Sequence, residues 1–396
     1  MKGGRLTERN YGVDLLRIVS MFMICVTHVL GHGGILDGNN LTAHGHVAYI
    51  IHLTCFGAVN VYAITSGYVC FNSKNRASSI INLWLQVCFY SVFIAVVGMV
   101  CSWTEDKTVW HIVDSFFPVV NNTYWYFTAY FCLFFFMPII NYGVRHAPKR
   151  AVEGAIVAIF LIFGVANSIG EKSVFSLNNG YTVIWIASMY LLGAYIRKYN
   201  PLNNFNWWKS LIAYVLCVAV AFLSKRLIES YEVNERYQLS RNAFIFYPSP
   251  IIFLQSLFLF NAFRRINVKG VFVKIISVLS PLTFGVYLIH DNPIIRKTFV
   301  SGKFAYYLEY SVAKMVFMII LTAVIIFSIC MAIEFLRSQL FKFIKVKSFS
   351  TWLAGLFTKL FDRIFKKETL ETELANEQEK NSNGEIINEE NSSNFR

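Results

Sequence analysis

Apolar runs of membrane-spanning length recur along most of this chain, and no other feature narrows its folding choices as much. Ten of them stand out, at 13–30, 46–71, 80–103, 125–142, 151–168, 181–197, 207–224, 246–263, 271–290 and 311–336. Each is close to the ~20 residues that a helix needs to cross a hydrocarbon core. In lipid a backbone polar group finds no partner outside its own segment, so helices are expected for all of them. The expected fold class is therefore all-α, a polytopic membrane helix bundle of about ten transmembrane helices. Charged residues make up only 15% of the chain, where a soluble domain carries ~25%.

The net charge of +13 is unevenly spread: from Glu368 onward the chain carries −6, which leaves +19 on the rest. That tail, 368–396, is rich in Glu, Asn and Ser and is expected to be disordered, because it cannot bury enough apolar area to fold. The basic residues are scattered among short loops, as the positive-inside rule distributes them, so no nucleic-acid partner is expected. Lys2, Arg5 and Arg9 precede the first span, and Lys74, Arg76, Arg145, Lys149 and Arg150 follow even-numbered spans, whereas 31–45 has none. This places both termini in the cytoplasm. The loop 225–245, with Lys225, Arg226, Arg236 and Arg241, argues against that order locally, and its side stays open.

Residues 338–367 read as a basic amphipathic helix beside the membrane. Phe349, Trp352, Leu353, Leu356, Phe357 and Leu360 repeat at helical spacing, with Lys359 and Arg363 on the other side. Such a helix suits either the inner leaflet, with membrane lipid as its partner, or packing against the bundle. The eight cysteines show no C-x-x-C or Cys/His ligand spacing, so neither a metal site nor a disulfide framework is expected.

Ionisable residues at membrane depth tend to mark function. The first span carries Asp14, Arg17 and His28. Arg17 and His28 are eleven residues apart, on one face and separated by ~16 Å along a helix axis. Asp14 lies one turn before Arg17 and can pair with it. His52 and His290 are expected at about the depth of His28, on two other spans. An imidazole takes a proton from a hydroxyl near neutral pH, and a guanidinium binds phosphate. A long donor such as acetyl-coenzyme A would keep its phosphates at the Arg17 end and extend its reactive end to His28. Each residue also has a plain structural reading: an ion pair for Asp14 and Arg17, packing for His28 and His52, an end cap for His290. Ser66-Gly67 has one in close helix contact, and Trp125 and Tyr126 in the aromatic belt.

Taken together, these segments resemble the acyltransferase 3 family of bacterial integral membrane proteins, over about residues 10–336. The opening YGVDLLRIVSMFMICVTH is similar to the family's D-x-x-R start and R-x10-H motif, in Asp14, Arg17 and His28. AITSGY followed by Lys74 and Arg76, YWYFTAYF with MPIIN, and SPLTFGVYLIH resemble three further family segments in the same order. Thr123 stands where many members have a histidine two positions before the tryptophan, which puts the acceptor side in question.

The resemblance implies a ten-helix bundle in a bacterial inner membrane. It implies transfer of an acyl group, commonly acetyl from acetyl-coenzyme A, to a hydroxyl of an envelope or exported glycan or glycolipid. His28 would be the base, with Arg17, Asp14 and His290 beside it in the catalytic set. Arg17, Lys74, Arg76 and Ser66 would hold the donor, and Trp125, Tyr126 and His52 the acceptor. No metal is called for. The alternatives are a secondary transporter or flippase of a lipid-linked sugar, with the same residues as a proton path, and a scaffold without turnover. The lack of an obvious internal repeat weighs against transport.

Overall fold

The computed structural model describes residues 9–38, 42–73, 77–105, 108–169, 175–230, 244–360 and 363. Lys74, Arg76, the tail 368–396 and most of the loop 225–245 lie outside the described residues. By chain contacts the protein divides into a main body, residues 1–75 and 84–340, and a small second unit, 76–83 with 341–396.

Every described regular element is helical. In chain order the helices are α1 Tyr11–Gly31, α2 Ala43–Phe56, α3 Ala58–Cys70, α4 Ala77–Val100, α5 Val109–Ser115, α6 Trp125–His146, α7 Lys149–Ile159 and α8 Asn167–Ile169. They continue as α9 Val183–Tyr199, α10 Trp207–Ser230, α11 Pro250–Arg264, α12 Val271–Leu279, α13 Thr283–His290, α14 Pro293–Ile295 and α15 Val312–Phe343. Among the described residues, eight helical stretches are long and apolar enough to cross a membrane. Two of the expected spans, 181–197 and 246–263, fold as shorter helices of 17 and 15 residues. Their ends are set locally. Thr182 and Ser249 accept backbone N–H groups at the starts, Pro250 follows Ser249, and Asn200 closes α9 in a left-handed conformation.

Where spans break, polar side chains supply what lipid cannot. The run 46–71, expected as one helix, bends at Gly57 between α2 and α3. The carbonyls freed there are taken by α10 and α11. Gln255 Nε2 donates to the Leu53 oxygen at 2.8 Å, Ser256 Oγ to the Gly57 oxygen at 3.1 Å, and the Tyr214 hydroxyl to the Thr54 oxygen. A Cβ at position 57 would stand 2.9 Å from Ser256 Oγ, so glycine admits this repair. The run 271–290 bends at Ser280–Leu282, where Pro281 removes a donor. The run 151–168 widens into a π-helical stretch, Phe160–Ala166.

α1 is the hub of the main body and packs against α2, α3, α11, α12 and α13. α3 and α9 pack closely along each other through two glycines. A Cβ on Gly67 would fall 1.9 Å from the Tyr190 carbonyl oxygen, and one on Gly193 would fall 2.0 Å from that of Ile64. Small residues let backbones touch in this way within membranes. Gly67→Ala is therefore expected to destabilise the bundle by ~1–3 kcal/mol or more, as overpacking does. Thermal unfolding followed by gel filtration in detergent checks this; an unchanged midpoint would refute it.

In the second unit, residues 346–360 are helical. Phe349, Trp352, Leu356, Phe357 and Leu360 are exposed there at spacings of three and four, with Phe349 stacked on Trp352 at 5.7 Å. α15 continues past 336, the end expected for the last span, to Phe343.

Candidate functional site

Successive turns of α1 present Arg17, Met21, Ile24 and His28 along one stripe. Met21, Ile24 and His28 line a cavity of about 140 Å³ in the main body. Val59, Tyr62, Trp125, Tyr126, Tyr181 and Tyr247 form its aromatic-rich walls, and His32, Asp291 and Arg296 crowd the end next to His28.

α13 delivers the second half of the site. It is a short helix that ends at His290, and Asp291 and Asn292 follow it into α14. The Asn292 side chain accepts from the Ile294 N–H and donates to the Tyr124 hydroxyl at 2.8 Å, which fixes this corner. His290 then lies against His28, with its Nε2 2.9 Å from His28 Nδ1. Its other ring nitrogen, Nδ1, lies 2.6 Å from the Val286 carbonyl oxygen.

These two contacts assign the tautomers. A carbonyl only accepts, so His290 Nδ1 carries a proton and donates it to Val286. In neutral His290, Nε2 is then an acceptor, and His28 Nδ1 must be the donor. That leaves the lone pair of neutral His28 on Nε2, the atom a general base uses. Asp291 Oδ1 stands 3.7 Å from His28 Nδ1 and offsets the charge His28 gains on taking a proton. Asp291 is also held by Arg296 at 3.0 Å. Burial raises the Asp291 carboxyl above its ordinary value, and His290 and Arg296 oppose the rise. Burial, followed by the charge of Arg296, holds the His32 imidazole below its ordinary value.

The walls opposite α1 are fixed as firmly. Trp125 lies 4.4 Å from Tyr181 and stacks over Tyr247 at 6.2 Å, centroid to centroid. Tyr247 is held through its backbone: Trp185 Nε1 donates to Asn60, and Asn60 donates to the Tyr247 carbonyl oxygen at 2.9 Å. Gly180, at φ +98°, sits where a Cβ would meet the Tyr247 Cβ at 2.6 Å.

At the other end of the α1 stripe, Arg17 lies outside the cavity lining. The Tyr62 hydroxyl donates to the Arg17 carbonyl oxygen at 2.8 Å, and Tyr62 packs edge-on against Tyr126 at 6.3 Å. Both tyrosines line the cavity, and Tyr62 joins its wall to the Arg17 backbone. Arg17 and His28 thus share a face of α1, but the cavity reaches only His28. Asp14 is shared. It is 3.6 Å from Arg17, as the spacing suggests, and only 2.5 Å from Arg9, which precedes the helix.

The remaining expected residues separate. Trp125 and Tyr126 line the cavity. His52 does not: its ring packs on Phe56 at 5.0 Å, and Phe56 stacks on Tyr247 at 4.7 Å, so His52 stands one layer behind the wall. Ser66 donates to the Tyr62 carbonyl oxygen at 3.0 Å and stays out of the cavity. Lys74 and Arg76 lie outside the described residues. His32 and Asp291 also line the cavity, and neither is among the residues expected to act. His32 is one helical turn beyond His28, and that spacing was the available signal. His28, His32 and Asp291 can each offer one ligand atom, all within 4.8 Å of one another.

A family model described as an acyltransferase domain matches residues 10–354. No curated protein and no solved structure gives a significant match.

Proposed function

Since the chain belongs to the acyltransferase 3 family and is a membrane acyltransferase, we propose that it moves an acetyl group from acetyl-coenzyme A to a hydroxyl of a bacterial cell-envelope or exported glycan or glycolipid. The observation that carries this reading is His28. Its Nε2 is left free as a base by the hydrogen bonds of His290, inside an aromatic cavity.

In this reading the acceptor hydroxyl gives its proton to His28 Nε2 as its oxygen attacks the acetyl carbonyl carbon. The carbon–sulfur bond breaks, and the proton passes from His28 to the leaving thiolate. The products are an O-acetyl ester and the free coenzyme A thiol. Asp291 stabilises the imidazolium between the two transfers, and the rings of Trp125 and Tyr181 offer faces to a sugar. Arg17, Lys74 and Arg76 serve the donor phosphates on the cytoplasmic side of an inner membrane. The exposed apolar stripe of 346–360 suits a place in membrane lipid.

Membranes supplied with radiolabelled acetyl-coenzyme A test this directly. Label should pass to glycan, and Arg17→Ala should raise the KM for acetyl-coenzyme A about 10–100-fold, as loss of a charged contact does. If sugar lipid crosses the bilayer with no label transferred, the chain is a flippase instead. If Arg17→Ala leaves KM unchanged, the donor role of Arg17 is wrong.

A further inference from the structure

We propose that His28, His32 and Asp291 form a binding site for a divalent transition-metal ion of the zinc type. Occupancy of that site switches off the base described above; this second clause rests on the proposed function, whereas the binding site itself does not.

The site is built from two elements. His28 and His32 are four residues apart at the end of α1, so both rings fall on one face, with centroids 4.8 Å apart. Asp291 comes from the end of α13 and places Oδ1 3.7 Å from His28 Nδ1. One ligand atom from each residue lies within 4.8 Å of the others. Around a tetrahedral ion with bonds of ~2.0–2.1 Å, ligand atoms are ~3.3 Å apart. The remaining contraction is small, and His32 is exposed and can turn to supply it.

Two imidazoles and one carboxylate are ligands that zinc accepts, with a fourth position left for water. Magnesium and calcium prefer sites made of oxygen. Asp291 is oriented before the metal arrives by the fixed corner at Asn292. One group opposes the ion: Arg296, 3.0 Å from Asp291 Oδ1, competes for the same carboxylate.

The link to catalysis is stoichiometric. A metal on His28 Nε2 occupies the lone pair that would accept the hydroxyl proton. A metal on Nδ1 displaces the proton shared with His290 and dismantles the tautomer lock. Either mode removes the base, and a chelator restores it.

The test is calorimetric titration of the purified, chelator-stripped full chain in detergent with Zn²⁺, and with Mg²⁺ for comparison. One saturable Zn²⁺ site per chain is expected, with no heat from Mg²⁺. His32→Ala and Asp291→Asn should each weaken Zn²⁺ binding by at least the ~10–100-fold that loss of a supporting group costs. Arg296→Gln should tighten it by freeing the carboxylate, a gain that no folding defect would produce. A paired His44→Ala, His46→Ala variant should bind Zn²⁺ as the parent does. No saturable binding, or equal affinity in the parent and the His32 and Asp291 variants, overturns the site. Undiminished acetyl transfer at saturating Zn²⁺ overturns the switch. If no acetyl transfer is seen even without metal, the proposed function fails while the binding titration still decides the site.

Discussion

Exchange of His28 for glutamine is expected to lower acetyl transfer ~10²–10⁴-fold, the usual worth of a positioned general base. Glutamine keeps an amide near the imidazole's place but cannot take a proton near neutral pH. The loss should fall on kcat. If the donor phosphates bind near Arg17, as proposed, they are untouched by this exchange, and the KM for acetyl-coenzyme A should change little. Initial rates in proteoliposomes with labelled donor measure both quantities, and gel filtration confirms that the variant is folded. Turnover close to that of the parent would mean that the proton leaves by another route and that His28 is a packing residue after all.

The expected effect is large because the cavity gives the hydroxyl few other places to send its proton. Asp291 is engaged by Arg296 and lies on the Nδ1 side of His28. His290 has its Nδ1 committed to Val286 and its Nε2 to His28. His32 lies at the exposed end of the cavity and is the nearest substitute. A double variant lacking both His28 and His32 should therefore show any residual transfer falling further.

Much of the frame was legible in the sequence because hydropathy alone dictates it. Each of the ten apolar runs became helix, and the order of the segments placed Arg17 and His28 on one stripe of α1. The breaks were harder to read. Nothing in the run 46–71 announces the bend at Gly57, because the groups that repair it, Gln255 and Ser256, are nearly two hundred residues away. The encounter of His28 with His290 was open for the same reason: a span fixes the depth of a side chain, and only packing brings two spans together. Asp14 illustrates the limit of local spacing. The i, i+3 rule found Arg17, yet the closer partner is Arg9, which reaches back from the residues before the helix. His52 met the depth argument as well as His28 did, but α2 turns it behind Phe56.

The sharpest test of the assigned geometry lies at His290, where two replacements of similar bulk should behave differently. Glutamine can reproduce both of the histidine's hydrogen bonds, with its amide N–H to the Val286 oxygen and its amide oxygen accepting from His28 Nδ1. Leucine can make neither. If His290 acts by holding the His28 tautomer, His290→Gln should keep transfer within about tenfold of the parent. His290→Leu should lose between ~10² and ~10⁴, the upper figure being the cost of a locked wrong tautomer in a hydrolase triad. Asp291, 3.7 Å from His28 Nδ1, can partly take over the acceptor role, which keeps the leucine variant short of the full loss. Adding Asp291→Ala to His290→Leu removes that substitute and should bring the rate down to that of the His28 variant. A purely structural His290 predicts another pattern, in which both single replacements fail alike or neither matters. Rate constants from the labelled-donor assay, compared across the four variants, separate the two cases.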